Sequence, residues 1–170
     1  AAVLDPTSDT GNLGDSKTSD TTPTISGTGT PGDTITLKNA AGVVIATATV
    51  APDGSWSATP TAALPEGLNT LAITATDPAG NTSLPTALPV TIDTTVAAPA
   101  IAPTNGVGAI TGSGEPGATV TIMDGSTILG TAVVDASGHW SLTPTSAVPN
   151  GTVLSATQTD LAGNTSGPDT

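Results

Sequence analysis

The chain has 170 residues, with fourteen acidic side chains against two lysines, no arginine and no cysteine. A net charge of -12 excludes an electrostatic nucleic-acid binder, which needs a basic footprint, and disfavours an anionic membrane surface. Without cysteine there is no disulfide, thiolate zinc site or Cys nucleophile, and divalent cations that suit carboxylate and carbonyl oxygens become the natural partners.

In chain order the first element is a short strand at Ala2-Val-Leu4, followed by a long polar loop over residues 5–21. Strands are predicted at 24–26, 34–38, 43–50, 55–58, 69–76 and 88–92, separated by Thr30-Pro-Gly-Asp33, Asn39-Ala-Ala-Gly42 and Pro52-Asp-Gly54 turns. Ser55-Trp-Ser-Ala58 turns Trp56 inward. Residues 60–67 form a connector, and Asp77-Pro-Ala-Gly-Asn-Thr-Ser83 closes the strand before it. No helical period competes with the alternation.

The same order then repeats. Thr24 to Gly32 matches Ala109 to Gly117, Trp56 matches Trp140, and Pro65-Glu-Gly67 matches Pro149-Asn-Gly151. Asp77 to Ser83 matches Asp160-Leu-Ala-Gly-Asn-Thr-Ser166, and the offsets drift only from 85 to 83 residues. That period is too long for a solenoid turn and suits a whole sandwich. The fold expected is all-β: two tandem immunoglobulin-like Greek-key β-sandwich domains, at 1–95 and 96–170. The copy of strand Leu88-Pro-Val-Thr-Ile92 is missing from the second, or is supplied from outside this chain. Both ends, Ala1-Ala-Val3 and Gly167-Pro-Asp-Thr170, read as cuts in a longer chain, so any targeting segment lies elsewhere.

Carboxylates are the main candidate chemistry. Asp5, Asp9, Asp15 and Asp20 share one glycine- and hydroxyl-rich loop, an oxygen supply that suits calcium, although the spacing is not that of an EF-hand and composition alone reads equally as a solvated acidic loop without a metal. Counting strand reversals places Asp33, Asp53 and Asp77 at one pole of the first sandwich, and the loop with Asp9, Asp15 and Asp20, plus the exit at Asp93, at the other. Asp93 is expected to meet Asp135 and Asp160 of the second repeat around a cation. A local turn role for Asp77 and Asp160 is an equal reading, since Asp side chains bond nearby backbone.

Other motifs are structural. Gly27-Thr-Gly-Thr-Pro-Gly32 and Gly112-Ser-Gly-Glu-Pro-Gly117 satisfy G-x-G-x-x-G, but a strand follows instead of the helix a pyrophosphate needs. His139 is the only histidine and has no partner for metal or triad chemistry. The two tryptophans read as core fillers over sugar platforms, and Thr34-Ile-Thr36 as strand alternation over an ice-binding face. Sequons at Asn81, Asn150 and Asn164 are explained by turns. No catalytic residue and no organic cofactor site is expected.

Leu4-Asp-x-x-Ser-Asp-Thr-Gly, Asp20-Thr-Thr-Pro-Thr-Ile-Ser-Gly27, Asp53-Gly-Ser-Trp56, Ala75-Thr-Asp-x-Ala-Gly-Asn-Thr-Ser83 and Thr91-Ile-Asp-Thr-Thr95 together resemble the bacterial Ig-like repeats of giant biofilm-associated and RTX-type surface adhesins. The second repeat lacks the acidic opening and has Ile101-Ala-Pro-Thr-Asn-Gly106 there. The resemblance implies a structural extender, stacked with neighbouring Ig-like repeats of the same chain as a monomeric tandem array. It implies projection of an adhesive tip outside a Gram-negative cell, with calcium stiffening junctions and loops. It implies no nucleic acid, no membrane insertion by this segment and no catalysis. The alternative is a module that itself binds a glycan, ice or another surface.

Overall fold

The computed structural model describes residues 1–104, 108–145, 148–149 and 151–169, so the expectations for Asn105, Gly106 and Asn150 lie outside the described residues. The chain divides into two compact units, Ala1–Thr94 and Thr95–Thr170, each with its own apolar core. Among the described residues every regular element is a strand, and no helix is long and apolar enough to cross a membrane.

The first unit holds β1 (Ala2–Leu4), β2 (Lys17–Thr18), β3 (Ile25–Thr28), β4 (Thr34–Lys38), β5 (Val44–Thr49), β6 (Ser55–Ala58), β7 (Gly67–Thr76) and β8 (Thr86–Ile92). One sheet runs β1-β3-β6 and the other β2-β8-β7-β4-β5. Every pairing is antiparallel except β2 with β8, which is parallel (Lys17 opposite Thr91). This is the immunoglobulin topology, in which the first strand begins in one sheet and resumes in the other. β2 was not expected: two residues inside a polar loop carry no alternation to read.

Alternation sets the two faces. Ile35, Leu37, Leu71, Ile73, Val90 and Ile92 turn into the core with Ile25 and Trp56. Removing such side chains from water is worth about 1.5–3 kcal/mol each. Gly27 is required by Trp56: a Cβ there would lie 2.8 Å from Trp56 Cζ2 and 2.5 Å from the Ala1 carbonyl oxygen. Gly32, at φ +89°, makes the following turn. The G-x-G-x-x-G motif is thus a tryptophan seat followed by a strand-to-turn exit.

The second unit holds β9 (Ala100–Ile101), β10 (Ile110–Ser113), β11 (Thr119–Asp124), β12 (Thr127–Val133), β13 (His139–Leu142) and β14 (Leu154–Thr159). Its sheets run β13-β10-β9 and β12-β11-β14. Gly112 seats Trp140 as Gly27 seats Trp56. Beside β14, Asp169 pairs with Ala156, the register that Thr86 takes with Ile73 in the first unit.

Candidate functional site

Each unit carries its acids at its poles. In the first, Thr34 pairs with both Thr49 and Thr76, and Gly29 N donates to the Gly54 carbonyl. The turns with Asp33 and Asp53 and the loop with Asp77 therefore share the pole of Ala1. At the other pole Asp5 N donates to the Thr24 carbonyl, Thr91 N to the Ser16 carbonyl and Asp93 N to the Thr18 carbonyl. The loop with Asp9, Asp15 and Asp20 and the exit at Asp93 are thus together within the first unit.

The long loop is ordered by its own hydroxyls and carboxylates. Asp5 accepts the Thr7 N–H at 3.0 Å and its hydroxyl at 2.6 Å. Asp15 accepts the Lys17 N–H at 2.9 Å. Asp20 accepts the Thr22 N–H at 2.9 Å on one oxygen and the Ser8 hydroxyl at 2.9 Å on the other. The buried Thr18 hydroxyl donates to the Ser8 carbonyl and accepts the Asp20 N–H. Glycines 11 and 14 and Ser16 adopt positive φ, which folds the segment back on itself.

Asp9 stands apart. It is 6% exposed, its Oδ2 accepts the Gly14 N–H, and its Oδ1 is buried with no hydrogen-bond partner. A buried carboxylate oxygen without a donor is costly, because the water it gave up is not replaced. An orphaned carboxylate oxygen in a hydroxyl-rich loop fits a hard cation. The fit differs from the expected one in detail: no three of Asp5, Asp9, Asp15 and Asp20 bring carboxylate oxygens within 4.8 Å of one another. Asp5 and Asp15 are occupied by their own turns, and Asp9 is the residue presenting an unsatisfied oxygen.

The heptapeptide acids cap their own loops. Asp77 Oδ1 accepts the Asn81 N–H at 2.8 Å and Oδ2 the Asn81 side-chain amide at 2.8 Å. Asp160 repeats both bonds with Asn164, at 2.8 and 2.7 Å. Asp77 is half-buried and Asp160 buried. Asp135 Oδ1 accepts the main-chain N–H groups of Ser137 and His139, and Asp53 binds Ser55 likewise. The Asn81 side-chain amide, then its N–H, holds the Asp77 carboxyl below its ordinary range. The hydroxyl and N–H of Ser55 do so for Asp53, and those of Thr7 for Asp5. The His139 N–H is the main cause for Asp135.

In the second unit Gly114 N donates to the Gly138 carbonyl, and Thr119 pairs with Val133 and Thr159. Asp135 and Asp160 therefore share a pole, and Glu115 lies on a turn at that same pole. Sequence reasoning set Glu115 aside as turn punctuation. Its signal was the acid standing where the first repeat has Thr30.

Two surfaces bear on direct binding. Trp56 and Trp140 are 6% and 3% exposed, so neither is a sugar platform. Threonines on the outer face of the β5-β4-β7 sheet align across strands: Thr49, Thr34 and Thr76 form one row and Thr47, Thr36 and Thr74 another. The second unit repeats Thr131, Thr121 and Thr157 in one row, with Val133, Thr119 and Thr159 in the other.

Residues 1–94 match the family described as bacterial Ig-like domain, and residues 97–170 the family described as bacterial Ig domain. Among solved structures, a biofilm associated protein (BSP domain) is 28% identical with a TM-score of 0.41, covering 89% of this chain and 27% of its own. The chain thus spans about a quarter of that structure's length. The fibronectin(III)-like modules of Clostridium thermocellum CbhA are 20% identical with a TM-score of 0.50, covering 99% of this chain and 90% of theirs. No curated protein sequence matches the chain. With two sandwiches of this topology, each seating a tryptophan on a strand glycine, the chain belongs to the bacterial Ig-like domain family, as two such domains in tandem.

Proposed function

We propose that this domain pair is an extender segment of a large, calcium-dependent bacterial surface adhesin of the RTX type. It acts outside a Gram-negative cell, beside further Ig-like repeats of the same chain, and carries no catalysis. Tandem duplication of one sandwich supports a spacer role, because such repeats add length without adding a new site. The observation that carries the calcium reading is the buried, unpartnered Asp9 Oδ1 in a loop rich in oxygen ligands.

Asp9 is the proposed core ligand there, with Asp20, Asp5 and Asp15 beside it as loop acids that could exchange turn bonds for metal bonds. Asp77 and Asp93 on the first domain, and Asp135 and Asp160 on the second, are further proposed ligands. When bound, calcium would cross-link oxygens on separate turns and so stiffen the loop that holds it. The rest is done by the chain itself: Thr18 and Ser8 hold the loop closed, and β2 fastens its end to β8.

The aligned threonine rows favour a second reading, a module that binds a glycan, ice or another surface directly. Ordinary β-propensity also places threonine on open sheet faces, which leaves this reading second. One experiment separates the two. In the parent surface protein the pair is replaced by an unrelated Ig-like pair of equal length. Restored attachment is the result expected of an extender. Attachment lost despite equal length would overturn that role in favour of direct binding.

A further inference from the structure

The segment joining β8 to β9, Asp93-Thr-Thr-Val-Ala-Ala-Pro99, has the small-residue and proline composition of a flexible linker and no regular structure. Its ends are nevertheless held. On the first domain, Glu66 Oε1 accepts the Thr94 N–H at 3.1 Å and Oε2 accepts the Thr94 hydroxyl at 2.9 Å. Just before it, Asp93 N donates to the Thr18 carbonyl at 2.9 Å.

On the second domain the tie is a buried amide. Gln158 sits on β14, is 1% exposed, and its Nε2 donates to the Ala97 carbonyl at 2.8 Å. Its Oε1 accepts the Glu115 N–H at 3.1 Å. Its main chain is fixed by Ser166, which accepts the Gln158 N–H on its hydroxyl and donates its own N–H to the Gln158 carbonyl. The first domain has Ala75 at this point of the repeat. A buried glutamine replacing an alanine in a core strand is costly unless its donor and acceptor are both used. Here they are used on the entry segment and on the Glu115 turn.

We propose that Glu66 and Gln158 are paired clamps that fasten the connecting segment to the domain on either side. Only Thr95 and Val96 lie between the clamped residues Thr94 and Ala97. The segment is thereby a short, tethered connector whose order comes from side-chain amide and carboxylate bonds. Because the Gln158 tie uses no carboxylate, it holds without a cation, and it goes beyond the calcium reading above.

The test is backbone 15N relaxation on the whole 170-residue chain, in calcium and in EDTA. In the unmutated chain the amides of Thr94, Ala97 and Ala98 are expected near the rigid value of about 0.85 in both buffers. Gln158→Met keeps the side chain's length without its amide. It should drop Ala97 and Ala98 below about 0.6, the flexible range, and leave Thr94 rigid. Gln158→Ala, the residue of the first repeat, should do the same. Glu66→Ala should loosen Thr94 and leave Ala97 rigid. A mobile Ala97 in the unmutated chain overturns the proposal without any variant, as does an Ala97 that stays rigid in Gln158→Met. Order lost only in EDTA would assign the tie to a cation and overturn it while sparing the calcium reading.

Discussion

Asp9→Asn gives the calcium reading a result of opposite sign in two buffers. Asparagine keeps an oxygen for the Gly14 N–H and removes the charge whose other oxygen, Oδ1, is buried without a partner. An unsatisfied buried group costs about 1–3 kcal/mol, and more when charged. Without calcium the variant should therefore be the more stable form by about 1 kcal/mol, or roughly 4–8 °C for a domain of this size. With calcium at about 100 times its dissociation constant, the unmutated domain gains about 2.7 kcal/mol and the variant gains little. At the same conversion that is roughly 11–22 °C, so the order of the two melting temperatures reverses. The assay is thermal unfolding followed by Trp56 fluorescence in a Trp140→Phe background, which leaves one reporter in the first domain. The reasoning is refuted if EDTA leaves the unmutated transition where it was, or if the variant is the less stable protein in both buffers.

Gly112→Ala would place a Cβ 1.9 Å from the Ala100 carbonyl oxygen and 2.4 Å from Trp140 Cζ2. Strand β9 or the indole must move, an overpacking expected to cost about 1–3 kcal/mol in urea unfolding, and a neutral substitution would contradict the tryptophan-seat account. Emission from both tryptophans should be blue-shifted and resist iodide; red-shifted, quenchable emission would revive a surface role for the rings. Carboxyls at Asp5, Asp53, Asp77 and Asp135 are held below their ordinary range by hydrogen bonds. Depressed folded values mean stability that is present above the unfolded value of about 3.9 and lost as pH falls through the folded one. Melting temperature should therefore decline as pH falls below about 4 in calcium-free buffer, and Asp77→Asn should flatten the decline slightly, since carboxyls this open to solvent each contribute little. A decline of the same steepness in that variant would show that the Asp77 loop bonds do not matter to folding.

Much of this protein is legible in one dimension because its information is local. Ile35-Thr-Leu37 and Leu71-Ala-Ile73 declare a buried and an open face by alternation alone. Gly32 and Gly54 mark turns by a positive φ that other residues avoid. The repeat of Trp56 as Trp140 told that the sandwich occurs twice. Strand reversals even placed the acids on the correct pole of each domain, since parity of short strands is a counting problem.

Tertiary structure decided which of those acids has an unmet need. Asp5, Asp9, Asp15 and Asp20 are equivalent in sequence. Partner geometry satisfies three of them and leaves one oxygen of Asp9 buried and alone. Only the fold revealed that Lys17–Thr18 leaves the loop to join β8, because that pairing depends on a strand more than seventy residues away in sequence. Only the fold gave Gln158 and Glu66 a purpose, for the same reason. A hydrogen bond between distant segments leaves no periodicity in the chain, while alternation and turn chemistry are written into adjacent residues.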